Sequence, residues 1–149
     1  MTKKKSKKPS ASSNAAQPSY PLLFVDRCAW SNRLGEALTK AGIKFTPHHD
    51  HFEPACPDDD WLPVVGKKGW VVITRDKRIR HKPNELQALK QNNVIAIVLS
   101  SGSSNQASAA DTAELLLRTL PKLMRMIKAS KPPLVLTVSM LGTISSVKL

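Results

Sequence analysis

Short apolar runs alternate along the chain with longer stretches in which apolar positions recur every three or four residues. Pro21-Leu-Leu-Phe-Val-Asp26 is a continuous apolar run ending in an acid, which suits a strand buried on both faces. Trp30, Leu34, Ala37, Leu38 and Ala41 then draw one apolar stripe along a helix, with Gly42 as its natural stop. Ile43 to Pro47 is a weaker strand, followed by the polar loop His48 to Pro57. Asp58-Asp-Asp60 before Trp61-Leu62 reads as a helix start, because carboxylates favour the positive end of a helix. Pro63 fits a first turn best, so the regular helix is expected to begin a residue or two after Asp58.

Trp70-Val-Val-Ile-Thr74 is the clearest strand, and Asp76 follows it. Pro83 to Asn92 reads as a helix with Pro83 near its first position. Val94 to Leu99 is a fourth buried strand. After a Ser/Gly/Asn loop from Ser100 to Gln106 comes the longest helix, striped by Ala113, Leu116, Leu117, Leu120, Leu123, Met124 and Ile127. Pro121 should kink or break it. The Leu116 to Ile127 stripe is rich enough to serve a homodimer interface, although core packing is the simpler account. Leu134 to Ser139 and Thr143 to Val147, joined through Met140-Leu-Gly142, form a terminal hairpin. Strands separated by helices imply right-handed crossovers and a mostly parallel α/β sheet covered on both faces.

Composition bounds this picture. The chain has 149 residues, 41% of them hydrophobic, enough for the core of one domain. Its longest apolar runs, such as Val94 to Leu99, are far too short to cross a bilayer. The basic N-terminus has no apolar segment behind it, so no secretory signal is expected. The two cysteines, Cys28 and Cys56, make no CxxC pair, which points to a reducing, cytoplasmic setting. The 23 basic residues exceed the 11 acidic ones and give a net charge of +12, suited to a polyanionic partner. Lys3, Lys4, Lys5, Lys7 and Lys8 lie in a Ser/Ala/Pro leader, so residues 1–18 read as a disordered basic tail and residues 19–149 as the folded domain. Removing those five lysines from 23 leaves 18 basic residues against 11 acidic, so the domain is basic too.

The acids are more informative than the bases. Ligands of an open α/β sheet bind beyond the carboxyl ends of the strands. Asp26 ends the first strand, Asp50 follows the second, Asp76 follows the third, and Asp58 begins a helix entering from the same edge. Gathered carboxylates raise one another's pKa unless a cation is supplied, and magnesium takes such oxygen ligands. Arg75, Lys77, Arg78, Arg80 and Lys82 flank Asp76, and Lys67 and Lys68 precede its strand. Those bases would hold a nucleic-acid backbone while the acids hold a metal that promotes phosphodiester hydrolysis.

The ordered blocks FVDR, HHDHF, PDDDWLP and GWVVITRDKRIR resemble the PIN-like nuclease domains of the VapC-type toxin class, over roughly Leu22 to Leu99. The resemblance implies a PIN-like three-layer sandwich, a mostly parallel central sheet flanked by helices. Carried over, the family's catalytic and metal-binding acids fall on Asp26, Asp50, Asp58 and Asp76, with Asp60 as a fifth candidate ligand. It further implies a Mg2+- or Mn2+-dependent endoribonuclease acting on RNA, often the toxin of a bacterial pair inhibited by a cognate antitoxin. Arg27-Cys28 and the lysine-rich leader depart from the better-known members.

Other constellations compete less well. His48, His49, Asp50, His51, Glu53 and Cys56 crowd together, but their spacing matches no closed zinc site. Trp30, Trp61 and Trp70 begin or sit within apolar runs and read as core residues rather than base-stacking platforms. The rival functional class is a non-catalytic basic nucleic-acid-binding module, which would need no metal and no intact acids.

Overall fold

The computed structural model of the chain describes residues 20–76, 82–100 and 109–149. Strand β1 (Leu23–Val25) leads through helix α1 (Asn32–Lys40) to β2 (Phe45–Pro47). A 3₁₀ turn (His48–Asp50) and loop then reach α2 (Asp58–Lys68), β3 (Val71–Thr74), α3 (Pro83–Gln91), β4 (Ile95–Leu99), α4 (Ala109–Ala129), β5 (Leu134–Val138) and β6 (Ile144–Val147). The sheet order is β2-β1-β3-β4-β5-β6, parallel except for the antiparallel β5–β6 hairpin.

Local chemistry explains most element ends. The Ser31 hydroxyl accepts the Leu34 N–H at 3.0 Å and caps α1. Gly42, at φ 74°, takes the left-handed turn that ends it. Helix α2 begins at Asp58 itself rather than later, and Pro63 lies inside it. The carbonyl that Pro63 deprives of a donor belongs to Asp59, on the exposed side, where water substitutes. Helix α4 likewise runs unbroken through Pro121, which lies on its exposed side.

Alternation along the strands sends Val25, Ile73, Ile97 and Leu136 to one face, where α1 and α4 cover them. Phe24, Val72, Ala96 and Val135 face the other way, beneath α2 and α3. The result is a three-layer sandwich. The apolar stripe of α4 is taken up by this core, with Leu116, Leu120 and Leu123 buried.

One crossover differs from expectation. From β1, α1 steps to one side on its face, whereas α2 and α3 step the opposite way on the opposite face, so these three connections share a hand. From β4 to β5 the step is in the direction taken by α3, yet α4 lies on the α1 face. This connection therefore has the opposite hand. Its reason is coverage: a helix on the other face would strip Ile97, Leu99, Leu136 and Val138. Each such burial contributes about 1.5–3 kcal/mol, whereas a handedness rule followed in about 98% of cases corresponds to only about 2 kcal/mol.

Helices α2 and α3 approach closely where Gly66 meets the end of α3. A Cβ at Gly66 would collide with the Asn92 carbonyl oxygen and lie 2.9 Å from the Asn92 Cβ. Gly66→Ala should therefore lower the urea midpoint, with overpacking of about 1–3 kcal/mol outweighing a helix-propensity gain of about 1 kcal/mol. A raised midpoint would mean that the two helices part without cost.

Candidate active site

Strand β1 is where the sheet order reverses: the chain leaves it for β2 on one side and returns to β3 on the other. Loops diverge at such a switch point and leave a crevice beyond the carboxyl ends of the strands. Here the crevice is a cleft of about 580 Å³ lined by Asp26, Arg27, Cys28, Cys56, Asp58, Asp59, Asp76, Lys82 and Glu85, with Pro54, Ala55 and Pro57 on the loop side.

Asp26 is 5% exposed and its carboxylate is held from several directions. The Arg27 N–H donates to Oδ1 at 2.7 Å, and the Thr74 hydroxyl donates to Oδ2 at 2.9 Å. The Cys28 thiol donates to Oδ2 at 3.4 Å. Thr74 is fully buried, and its oxygen also accepts the Asp76 N–H at 3.1 Å. One hydroxyl thus ties the acid after β1 to the acid after β3. Cys28 turns its sulfur inward, where it accepts the Arg75 N–H at 3.2 Å. Burial and the Asp26 charge push that thiol up to about 11, so it stays protonated as a donor.

Asp58 opens α2, and its Oδ1 accepts the Trp61 indole N–H at 2.9 Å. Burial, then Asp26, raises its pKa despite that hydrogen bond. Glu85, in the first turn of α3, is also raised, chiefly by burial and then by Asp58. A hydrogen bond between the two carboxyls favours the proton on Glu85 and the charge on Asp58. The buried Glu85 Oε1 has no hydrogen-bond donor, while Oε2 lies 3.4 Å from Lys82 Nζ. Glu85 escaped the sequence reading, although the argument that placed Asp58 at the lip, an acid in the first turn of a helix entering from that edge, applies to it equally.

Of the predicted acids, Asp26, Asp58 and Asp76 come together. Asp50 and Asp60 do not line the cleft: Asp50 is exposed in the 3₁₀ turn with His49 Nε2 3.8 Å away, and Asp60 is exposed on α2. The helical turn that points Asp58 into the cleft carries Asp60 round by about 200°. Lys82 lies on the cleft and Arg75 directly follows β3. Lys67 and Lys68 end α2 about 15 Å from its start, at the opposite edge of the sheet, with Lys68 Nζ 5.2 Å from the Trp70 ring centre. Lys77, Arg78 and Arg80 lie outside the described residues, as does the tail. The histidines diverge: His48 is buried against Phe24, Phe52 and Trp61, its pKa lowered by burial and then Arg27, while His51 Nε2 meets the Thr46 hydroxyl at 2.7 Å.

Among the described residues, no group of three or more His, Cys, Asp or Glu side chains is drawn together closely enough to hold a metal ion. The donor chemistry nevertheless fits a hard cation: oxygen ligands, two carboxyls raised by burial and then by a neighbouring carboxylate (Asp26 for Asp58, Asp58 for Glu85), and the Glu85 Oε1, buried without a hydrogen-bond donor. No helix among the described residues is long and apolar enough to cross a membrane.

The raised carboxyls have a consequence for stability. The folded state retains protons that the unfolded chain releases above about pH 4, so this pair destabilises the fold as pH rises through the gap. Glu85→Gln keeps the shape and supplies a permanent donor to Asp58. It should raise the melting temperature at pH 7 and flatten its fall between pH 4 and 7, as followed by circular dichroism. Equal shifts at both pH values would place the effect elsewhere.

No curated protein and no solved structure matches the chain. The profile of the PIN-like domain matches residues 21–101, over half of the sequence and the whole segment from β1 to β4 that builds the cleft. Such domains are generally nucleases and typically use divalent metal ions. The chain belongs to the PIN-like domain family.

Proposed function

We propose that the protein is a Mg2+- or Mn2+-dependent endoribonuclease. The observation that carries this reading is the convergence of Asp26, Asp58, Asp76 and Glu85, from four separate segments, on one cleft at the switch point. Asp26 arrives oriented by Thr74 and the Arg27 N–H, so little reorganisation is required of it. A bound cation would counter the burial and the Asp58 charge that raise Glu85, favouring its charged form. Asp26, Asp58, Asp76 and Glu85 would hold the ion, and when bound it supplies an activated water and offsets charge developing on the phosphate. Arg27 and Lys82, on the same cleft, and Arg75 beside it would hold the backbone on either side of the scissile bond.

RNA rather than a smaller phosphodiester is supported by the net charge of +12. On the resemblance of its four acidic blocks to VapC-type toxins, the protein would act in the cytoplasm as the toxin of a bacterial pair, restrained by a cognate antitoxin. A second reading, a non-catalytic basic module that binds nucleic acid, draws on the lack of a closed ligand group among the described residues.

Labelled RNA separates the two. With Mg2+ or Mn2+ the protein should cleave it. Asp26→Asn and Asp76→Asn should each lower the rate by about a hundredfold or more, with the melting profile kept. Asp50→Asn, outside the cleft, should stay within about threefold of wild type. Full activity in EDTA would overturn the metal-dependent reading, and metal-independent binding without cleavage would favour the module.

A further inference from the structure

Acids and lysines divide between the two edges of the sheet. Because β1 to β5 run the same way, each connecting helix starts at the carboxyl edge and ends at the amino edge. Lys40, Lys67 with Lys68, Lys90 and Lys128 stand in the last turns of α1, α2, α3 and α4. Lys44 precedes β2 and Lys131 precedes β5 at the same edge, and β6, running back, delivers Lys148 there. All eight are exposed. Of the 11 acids in the chain, none lies at this edge. Glu36 is midway along α1, and the others follow β1, β2 or β3 or occupy the first two turns of α2, α3 and α4.

Helix dipoles explain only part of this division. A helix C-terminus carries about half a negative charge, so the four ends together call for about two positive charges, where eight lysines stand. Lys44, Lys131 and Lys148 lie on no helix at all. Among the described residues, none of the eight has a carboxylate within ion-pair distance. The surplus belongs to the edge as a whole, and it takes in Lys67 and Lys68, which the fold carries away from the cleft.

The lysines form a field rather than a row. Lys40 and Lys128 stand on the helices of one sheet face and Lys67, Lys68 and Lys90 on those of the other, with Lys44, Lys131 and Lys148 along the sheet between them. From β2 to β6 that field is about 24 Å wide, at about 4.8 Å for each strand step. A single strand would touch one line of it, whereas a duplex presents two rows of phosphates. A protein partner would need an apolar centre to its interface. Among the described residues the large exposed apolar side chains lie elsewhere, Met140 and Leu141 in the turn at the carboxyl edge and Val64 midway along α2. Stable membrane anchoring also takes an apolar element besides basic charge. A phosphate backbone asks for charge alone.

We propose that the amino edge of the sheet is a docking surface for the phosphate backbone of duplex RNA, on the side of the molecule opposite the cleft. The choice of RNA rests on the ribonuclease reading, and the docking rests on the lysines. A duplex held there meets no acidic side chain, whereas at the cleft it meets Asp26, Asp58, Asp59, Asp76 and Glu85.

Binding of an RNA duplex of about 20 base pairs is measured in EDTA, where no cleavage is expected, over a range of salt concentrations. Lys44→Gln, Lys67→Gln and Lys131→Gln, combined in one chain, should weaken binding about tenfold or more and lower the slope of log K against log salt by about 2 to 3. Arg33→Gln, Arg118→Gln and Lys122→Gln, combined likewise, remove the same charge away from that edge and should stay within about threefold of wild type. Equal loss in the two triple variants would mean that net charge alone acts, and no loss in the first would mean that the edge is not used; either overturns the proposal. Acetylation of the wild type by an N-hydroxysuccinimide ester, read by mass spectrometry, tests it without substitutions. The duplex should shield Lys44 and Lys131 and leave Lys122 reactive, and uniform shielding or none would count against the surface. Tighter binding of phosphatidylglycerol vesicles, or of the same duplex in DNA, would overturn RNA as the occupant. A wild type that docks the duplex as described but leaves labelled RNA uncut with metal would overturn the ribonuclease reading and leave the docking surface standing.

Discussion

The hydrogen bond from Thr74 to Asp26 is the constraint on which the rest of the cleft depends. A carboxylate 5% exposed must be met by donors, because an unpaired buried charge costs several kcal/mol. Asp26 is met by a hydroxyl, a backbone N–H and a thiol, two of them supplied by the turn that follows it. The third comes from the neighbouring strand. It arrives only because β1 and β3 pair in parallel with Val25 opposite Ile73, which sets Asp26 beside Thr74. A slip of one residue would turn Thr74 to the opposite face and leave Asp26 beside an aliphatic side chain.

With Asp26 anchored, the remaining acids are placed by helices. Asp58 and Glu85 occupy the first turns of α2 and α3, where the helix dipole favours negative charge by about 0.3–1 kcal/mol. That is too little to offset crowding among carboxyls, and both pKa values remain raised. What forces them together is packing elsewhere. Helices α2 and α3 touch backbone to side-chain distance at Gly66 and Asn92, and both bury Trp61, Leu62 and Leu89 on the same sheet face. The repulsion is thus sustained by the core, and it is what raises both carboxyls beyond the effect of burial alone.

How much of this was legible in the sequence depends on whether one residue's neighbours along the chain decide its surroundings. The strands were readable because β1, β3 and β4 are buried on both faces and so become uninterrupted apolar runs. Asp26, Asp58 and Asp76 were readable because strand ends and helix starts fix their edge. Asp50 satisfied the same rule and still missed the cleft, since β2 lies on the far side of β1 and its exit turn faces away. Lys67 and Lys68 were near Asp76 only along the chain, with the length of β3 between them. The hand of the α4 crossover depends on which face needed covering, a property of the assembled sheet that no local pattern carries.

The two kinds of charge in the molecule act over different ranges, and this reconciles a basic protein with an acidic centre. A phosphate strand approaching from a distance meets the net charge of +12, screened over about 8 Å at physiological salt. Within the cleft it meets Asp26, Asp58, Asp59, Asp76 and Glu85, against which Arg27 and Lys82 are the nearby cations. Attraction therefore brings the strand to the rim, and repulsion keeps it from the carboxylates unless a divalent ion intervenes. On that proposed reading, monovalent salt would weaken the first step and a chelator would remove the second, so binding and cutting would be governed by different charges. On the proposed ribonuclease reading, such an arrangement would retain RNA without metal and cleave it only with metal, because the acids that repel the substrate would make cleavage conditional on the ion.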